Sequence, residues 1–173
     1  MQSNVPKNGD IILIDANVII EADKLKTWKA IAGAYNLHTV ETVIKEALRK
    51  PVQGQGISMT EANLRCSFSA IHSISEEESA DWILNYPELL DSAIDDGERD
   101  LLTYFHCCGD KKIWFLCGPD VGAMKGLHGM GLLDQLVSLE LLQKSCGIKN
   151  KIKNHFNQKW HDSTVYEIKS NLR

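Results

Sequence analysis

The sequence predicts an α/β fold in which a mostly parallel central sheet is flanked by helices on both faces, a three-layer α/β/α arrangement. Ile11-Ile12-Leu13-Ile14 and Ile113-Trp114-Phe115-Leu116-Cys117 are unbroken apolar runs, the pattern of parallel strands covered on both faces. Each run is followed by an aspartate, Asp15 directly and Asp120 after a Gly-Pro pair. Elsewhere, segments of strand character alternate with segments of helical period, and that alternation calls for crossover connections and parallel pairing.

Taken in order, Leu25, Trp28, Ile31, Ala32 and Tyr35 recur at three and four, which predicts one amphipathic helix ending near Asn36. Leu37-His38-Thr39-Val40 follows as a short strand. A helix over 41–49 comes next, with Thr39 or its neighbours as the cap and Val43, Ile44, Ala47 and Leu48 as its apolar stripe. Residues 51–56, with Pro51, Gly54 and Gly56, form a loop. Ile71-His72-Ser73-Ile74 is a candidate strand in an otherwise ambiguous stretch. Ser75 and Glu78 make a capping box that opens a helix through about Asn85, ended by Pro87.

Asp95-Asp96-Gly97-Glu98-Arg99-Asp100 precedes Leu101, Leu102, Tyr104, Phe105 and Cys108 at helical spacing, so acids crowd a helix N-terminus that Gly109 later closes. Beyond Asp120, a helix with Ala123, Met124, Leu127 and Met130 leads to a last strand within 132–139 and a helix from Leu139. The domain is expected over 1–146. Residues 147–173 form a basic tail whose Phe156, Trp160, Val165, Tyr166 and Ile168 suffice to pack on or extend it.

At 173 residues and 43% apolar content the chain suits one domain with a sizeable core. A net charge of −4 argues against a protein that coats nucleic acid, though a local basic face is compatible with it. Five cysteines without a C-x-x-C pair point to a reducing cytoplasm rather than a disulfide scaffold. His106 beside Cys107 and Cys108 lacks a second ligand pair at zinc spacing, which leaves an ordinary buried helix face as the expectation. No apolar run approaches the ~20 residues of a membrane span, so no membrane partner is expected.

Four acids, Asp15, Glu46, Glu98 and Asp120, fall at strand ends or in helices near such ends, with Asp15 and Asp120 leaving one sheet edge. Carboxylates gathered in a partly dry cleft repel one another unless a cation neutralises them, and oxygen donors suit Mg²⁺ or Mn²⁺. Asn17, two residues after Asp15, is placed to support it. Each acid also has a plainer explanation. Asp15 and Asp120 suit helix caps, Glu46 suits an i,i+4 pair with Lys50, and Glu98 suits the positive end of a helix dipole, as do Asp95, Asp96 and Asp100.

The stretches Ile12-Leu13-Ile14-Asp15-Ala16-Asn17-Val18-Ile19, Val43-Ile44-Lys45-Glu46, Asp96-Gly97-Glu98-Arg99-Asp100-Leu101 and Phe115-Leu116-Cys117-Gly118-Pro119-Asp120 together resemble the PIN-domain family of small metal-dependent ribonucleases. The resemblance implies that Asp15, Glu46, Glu98 and Asp120 form an acidic metal site for Mg²⁺ or Mn²⁺, with Asn17, Asp96 and Asp100 supporting it. Many family members carry Asp at the third acidic position. Asp95, Asp96 and Asp100 therefore compete with Glu98 for it.

The implied activity is hydrolysis of RNA phosphodiesters by a metal-activated water, often as the toxin of a toxin–antitoxin pair. An RNA substrate, an antitoxin protein and a second copy of the chain are the candidate partners. Lys111, Lys112, Lys125 and the tail lysines are candidate phosphate contacts, against a reading as solvated surface. A PIN-like scaffold that binds protein or RNA without cutting is the alternative. A haloacid-dehalogenase-like phosphatase is disfavoured, because that chemistry wants an acid where Asn17 stands.

Overall fold

The computed structural model describes residues 5–49, 56–90, 93–110 and 113–171. Its frame is a five-stranded parallel sheet with helices on both faces. Strand β1 (Ile11–Ile14) lies at the centre. It pairs with β2 (Asn36–Val40) on one side, Ile12 opposite Leu37, and with β4 (Trp114–Cys117) on the other, Ile14 opposite Cys117. Strand β3 (Ala70–His72) flanks β2 and β5 (Leu136–Val137) flanks β4, so the spatial order is β3-β2-β1-β4-β5. Ile12, Leu13, Ile14, Phe115 and Leu116 are fully or almost fully buried, which explains why β1 and β4 read as continuous apolar runs.

This order places a topological switch between β1 and β4. The chain winds outward from β1 through β2 to β3, then returns to lay β4 on the other side of β1. Helices leaving adjacent strands in opposite directions open a crevice beyond the strands' carboxyl ends, where ligands of open α/β sheets collect.

The helices are α1 (Ala16–Lys24), α2 (Trp28–Ala34), α3 (Glu41–Leu48), α4 (Glu61–Cys66), α5 (Glu76–Asn85), α6 (Asp96–Cys108), α7 (Val121–Gly129), α8 (Leu139–Ser145) and α9 (Gln158–Lys169). Helix α6 packs against α3, α5 and α7, and α8 against α2 and α9. The single helix expected before β2 is two helices, because Lys26 adopts φ +60 in the turn between α1 and α2. The cap of α3 also differs from expectation. Val40 occupies the N-cap without a side-chain bond, while the Thr39 hydroxyl donates to the Ile14 carbonyl 2.8 Å away and ties β2 to β1. Within the ambiguous stretch, α4 forms on the Thr60 cap, and the strand ends at His72 rather than Ile74.

The Ser75–Glu78 capping box opens α5 as expected. The loop expected over 51–56 lies outside the described residues except for Gly56.

The tail docks as a helix. Phe156 and Ile168 are buried, α9 packs on α7 and α8, and Tyr166 stays exposed. Ion pairs hold it down: Lys153 Nζ lies 2.7 Å from the buried Glu21 of α1, and Lys169 Nζ lies 2.7 Å from Asp134. These lysines therefore neutralise acids of the chain itself. Among the described residues no helix is long and apolar enough to cross a membrane.

Candidate functional site

Three helix N-termini meet at the carboxyl edge of β1 and β4, and each is capped by an aspartate. Asp15 caps α1, its Oδ2 accepting the Asn17 backbone N–H at 3.1 Å. Asp120 caps α7, its Oδ1 accepting the Gly122 N–H at 2.7 Å. Asp95 caps α6 in a reciprocal box: Glu98 N–H donates to Asp95 Oδ1 at 2.8 Å, and Asp95 N–H donates to Glu98 Oε2 at 3.3 Å. Capping alone accounts for an aspartate at each start. It does not account for three such starts, plus Glu46 of α3, sharing one place.

The sharing shows in the electrostatics. Asp15 is buried, and burial lifts its carboxyl to about 7, with the charges of Asp95 and Glu46 pushing the same way. Glu98 is buried, and its carboxyl is lifted to about 9, first by burial and then by Asp120 and Asp95. The Glu98 carboxyl is therefore neutral near pH 7, which eases its closeness to Asp120. Glu46 is half-buried and also raised, by burial and then by Asp95, while the Gly97 N–H donates to it and pulls the other way. The positive ends of three helix dipoles offset part of this repulsion.

Two glycines make room for the acids. A Cβ at Gly97 would lie 2.5 Å from Glu46 Oε2, and one at Gly122 would lie 2.9 Å from Glu98 Oε2 and 3.2 Å from Asp120 Oδ1. Only hydrogen at these positions lets α6 and α7 begin so close to the carboxylates.

The four acids expected at the site thus reach one edge, and Asp95 joins them through the charge it imposes on Asp15, Glu46 and Glu98. Asp96 and Asp100 make other contacts, although the charge of Asp96 also raises Glu46. Asp96 pairs with Arg99 at 2.5 Å, and Asp100 accepts the Thr42 hydroxyl. Asn17 supports Asp15 through its backbone N–H, while its side chain is exposed. Lys125 is exposed on α7, and Lys111 and Lys112 lie outside the described residues.

Gly97, Gly122 and the capping role of Asp95 went unnoticed in the sequence. The signal available was Asp95-x-x-Glu98, which has the spacing of a capping box, with a glycine inside it.

An all-oxygen donor set suits a hard cation such as Mg²⁺ or Mn²⁺, and crowded carboxylates held above their ordinary range are what such a cation would relieve. Among the described residues the groups of three donor atoms within 4.8 Å of one another lie elsewhere, so no three of these acids are that close. A cation at the acidic edge would accordingly keep water in its shell, the usual habit of Mg²⁺.

No family model and no curated protein matches the chain. The functional reading therefore rests on the residues and their geometry.

Proposed function

We propose that the chain is a PIN-like ribonuclease that hydrolyses RNA phosphodiester bonds with Mg²⁺ or Mn²⁺. The observation that carries this reading is the convergence of Asp15, Glu46, Asp95, Glu98 and Asp120 at the switch point between β1 and β4, with two of the carboxyls lifted to about 7 and about 9. The substrate class comes from the resemblance of four sequence stretches to that family, and the acids at one edge support it.

When bound, the cation would polarise the scissile phosphate and lower the pKa of a coordinated water. Asp15, Glu46, Glu98 and Asp120 would hold it. The chain's own part is positioning. The Asn17 N–H fixes the Asp15 carboxylate, the Gly97 N–H fixes that of Glu46, and the reciprocal cap fixes Glu98 against Asp95. Loading would also displace the proton that burial keeps on Glu98, so cation binding should tighten as pH rises. Toxin activity restrained by an antitoxin, self-association and a cytoplasmic setting belong to the same proposal.

A non-cutting scaffold is the second reading. It is favoured by the fact that Asp15, Asp95 and Asp120 each already serve as a helix cap. Two measurements on one preparation separate the readings. Mn²⁺ should raise the melting temperature and support cleavage of a fluorescent RNA, and Asp15→Asn, which keeps the cap, should abolish the cleavage with the fold intact. Stabilisation by Mn²⁺ without cleavage would favour the scaffold. Full cleavage by Asp15→Asn would remove the acidic edge from the chemistry.

A further inference from the structure

We propose that the molecule carries a second, chemically different metal site, for a thiophilic divalent cation of the Zn²⁺ class, formed by Asp81 of α5 with His106 and Cys107 of α6. One donor atom from each of these residues lies within 4.8 Å of the others. His106 and Cys107 stand side by side in the sequence without a second ligand pair at zinc spacing, because the residue that completes the set is 25 positions before His106 and reaches it only through the packing of α5 on α6.

The donors are chemically apt. Zn²⁺ takes imidazole nitrogen, thiolate sulfur and carboxylate oxygen, commonly three protein ligands with water as the fourth. Tetrahedral bond lengths put such donor atoms roughly 3.3–3.6 Å apart. His106 Nε2 and Asp81 Oδ2 now stand 2.8 Å apart and would part by roughly half an ångström to admit the ion. Cys107 would give its thiol proton to solvent as the sulfur coordinates. Access is open, since Asp81 and Cys107 are exposed.

Both non-sulfur ligands are also held from behind. His106 Nδ1 lies 3.2 Å from the Tyr86 hydroxyl, and the Tyr86 ring stands edge-on to the imidazole. Asp81 Oδ1 accepts from Asn85 Nδ2 at 3.3 Å. A hydrogen bond at the far ring nitrogen is the usual companion of a ligating histidine, because it sets the tautomer and leaves the other nitrogen's lone pair for the metal.

A second group, His72, Glu78 and Cys108, lies on the same pair of helices and the adjoining strand. Its glutamate is already committed, Oε2 accepting the Ser75 N–H of the α5 cap, and its histidine lies stacked on Tyr104 with ring centroids 4.5 Å apart. It serves as the internal rival in the test. The proposed site is set apart from the acidic edge, which lies at the other end of α6; Cys107 is nine positions after Glu98, about 13 Å along the helix.

The test uses the reduced full-length chain loaded with Co²⁺, whose bond to a thiolate gives a charge-transfer absorption in the near ultraviolet, followed by Zn²⁺ competition against a chromophoric chelator. The expected result is one equivalent of Co²⁺ with that band. Cys107→Ser should abolish the band, His106→Gln should weaken Zn²⁺ binding at least tenfold, and Tyr86→Phe should weaken it about tenfold. Cys108→Ser and Cys66→Ser should retain both the band and the affinity. Metal-free melting curves of the variants establish that each is folded. Absence of the band in the parent chain, its survival in Cys107→Ser, or its loss in Cys108→Ser would each overturn the assignment.

Discussion

The two ends of helix α6 present opposite solutions to the placing of polar groups. At its N-terminus carboxylates from four helices face one another with no cationic side chain among the groups that shift them, apart from Arg49 near Glu46. At its C-terminus, by contrast, each carboxylate meets a histidine: Asp81 lies 2.8 Å from His106, and Glu78 lies 2.8 Å from His72. The difference teaches that a cluster of ionisable groups is informative through what it leaves uncompensated. The N-terminal group stores repulsion that only protons or a cation relieve, whereas the C-terminal group is satisfied as it stands and invites a metal by the identity and spacing of its donors.

Glu98→Gln should have the largest effect on that contrast. Glutamine can keep the capping geometry but cannot ionise to hold a cation, so metal-dependent RNA cleavage should fall by roughly a hundredfold or more. The metal-free protein should at the same time melt higher at pH 8 than the parent. Asp81→Asn, made at the other end of α6, should change neither. A variant in which cleavage and stability fall together would mean that Glu98 acts as a structural cap alone.

The pH dependence of stability comes next. Asp15 and Glu98 have folded-state carboxyls at about 7 and about 9, above the ordinary carboxylate range. For groups raised in this direction, stability is fully present below the unfolded pKa, near ~4, and is lost as pH rises through the folded values. The metal-free chain should therefore lose on the order of a few kcal/mol between pH 5 and pH 9, and saturating Mn²⁺ should flatten the profile. Urea denaturation at the two pH values measures both. A flat metal-free profile would show that the acids do not repel as described.

Gly97→Ala tests the fit more finely. The added methyl would meet Glu46 Oε2 at 2.5 Å and force the carboxylate aside, weakening Mn²⁺ binding about tenfold, read as a smaller Mn²⁺-induced shift in melting temperature. The smallest expected change is that of Asp120→Asn. The asparagine keeps the cap of α7 but removes the like charge that raises Glu98 most, so the Glu98 carboxyl should titrate lower than in the parent, as followed by carbon NMR of the side chain.

Much of this molecule was legible before folding was considered. The runs Ile11–Ile14 and 113–117 declared buried strands because a strand covered on both faces has no polar alternation to display, although Ile113 falls just before β4 and is exposed. Ser75 and Glu78 announced the start of α5 because a capping box is a local hydrogen-bond pattern three residues long. Where a local rule met tertiary demand, the rule failed. Leu25, Trp28 and Ile31 keep helical spacing across the turn at Lys26, so periodicity predicted one helix where the chain makes two. Cys107 and Cys108 were expected on a buried face, yet both are exposed, because Leu101, Leu102 and Phe105 already fill the side of α6 that faces the core.

By itself the sequence determined the strands, most of the helices and the candidate acids, since periodicity and capping depend on residues a few positions apart. Only the tertiary structure decided that Asp95 stands with Asp15 and Glu46, that Asp96 and Asp100 turn to Arg99 and Thr42, and that Asp81 meets His106. The physical reason is range. Secondary structure answers to neighbours along the chain, whereas the charge and ligand chemistry of a site answers to distances in space, which the winding order β3-β2-β1-β4-β5 and the packing of α6 set for residues far apart in sequence.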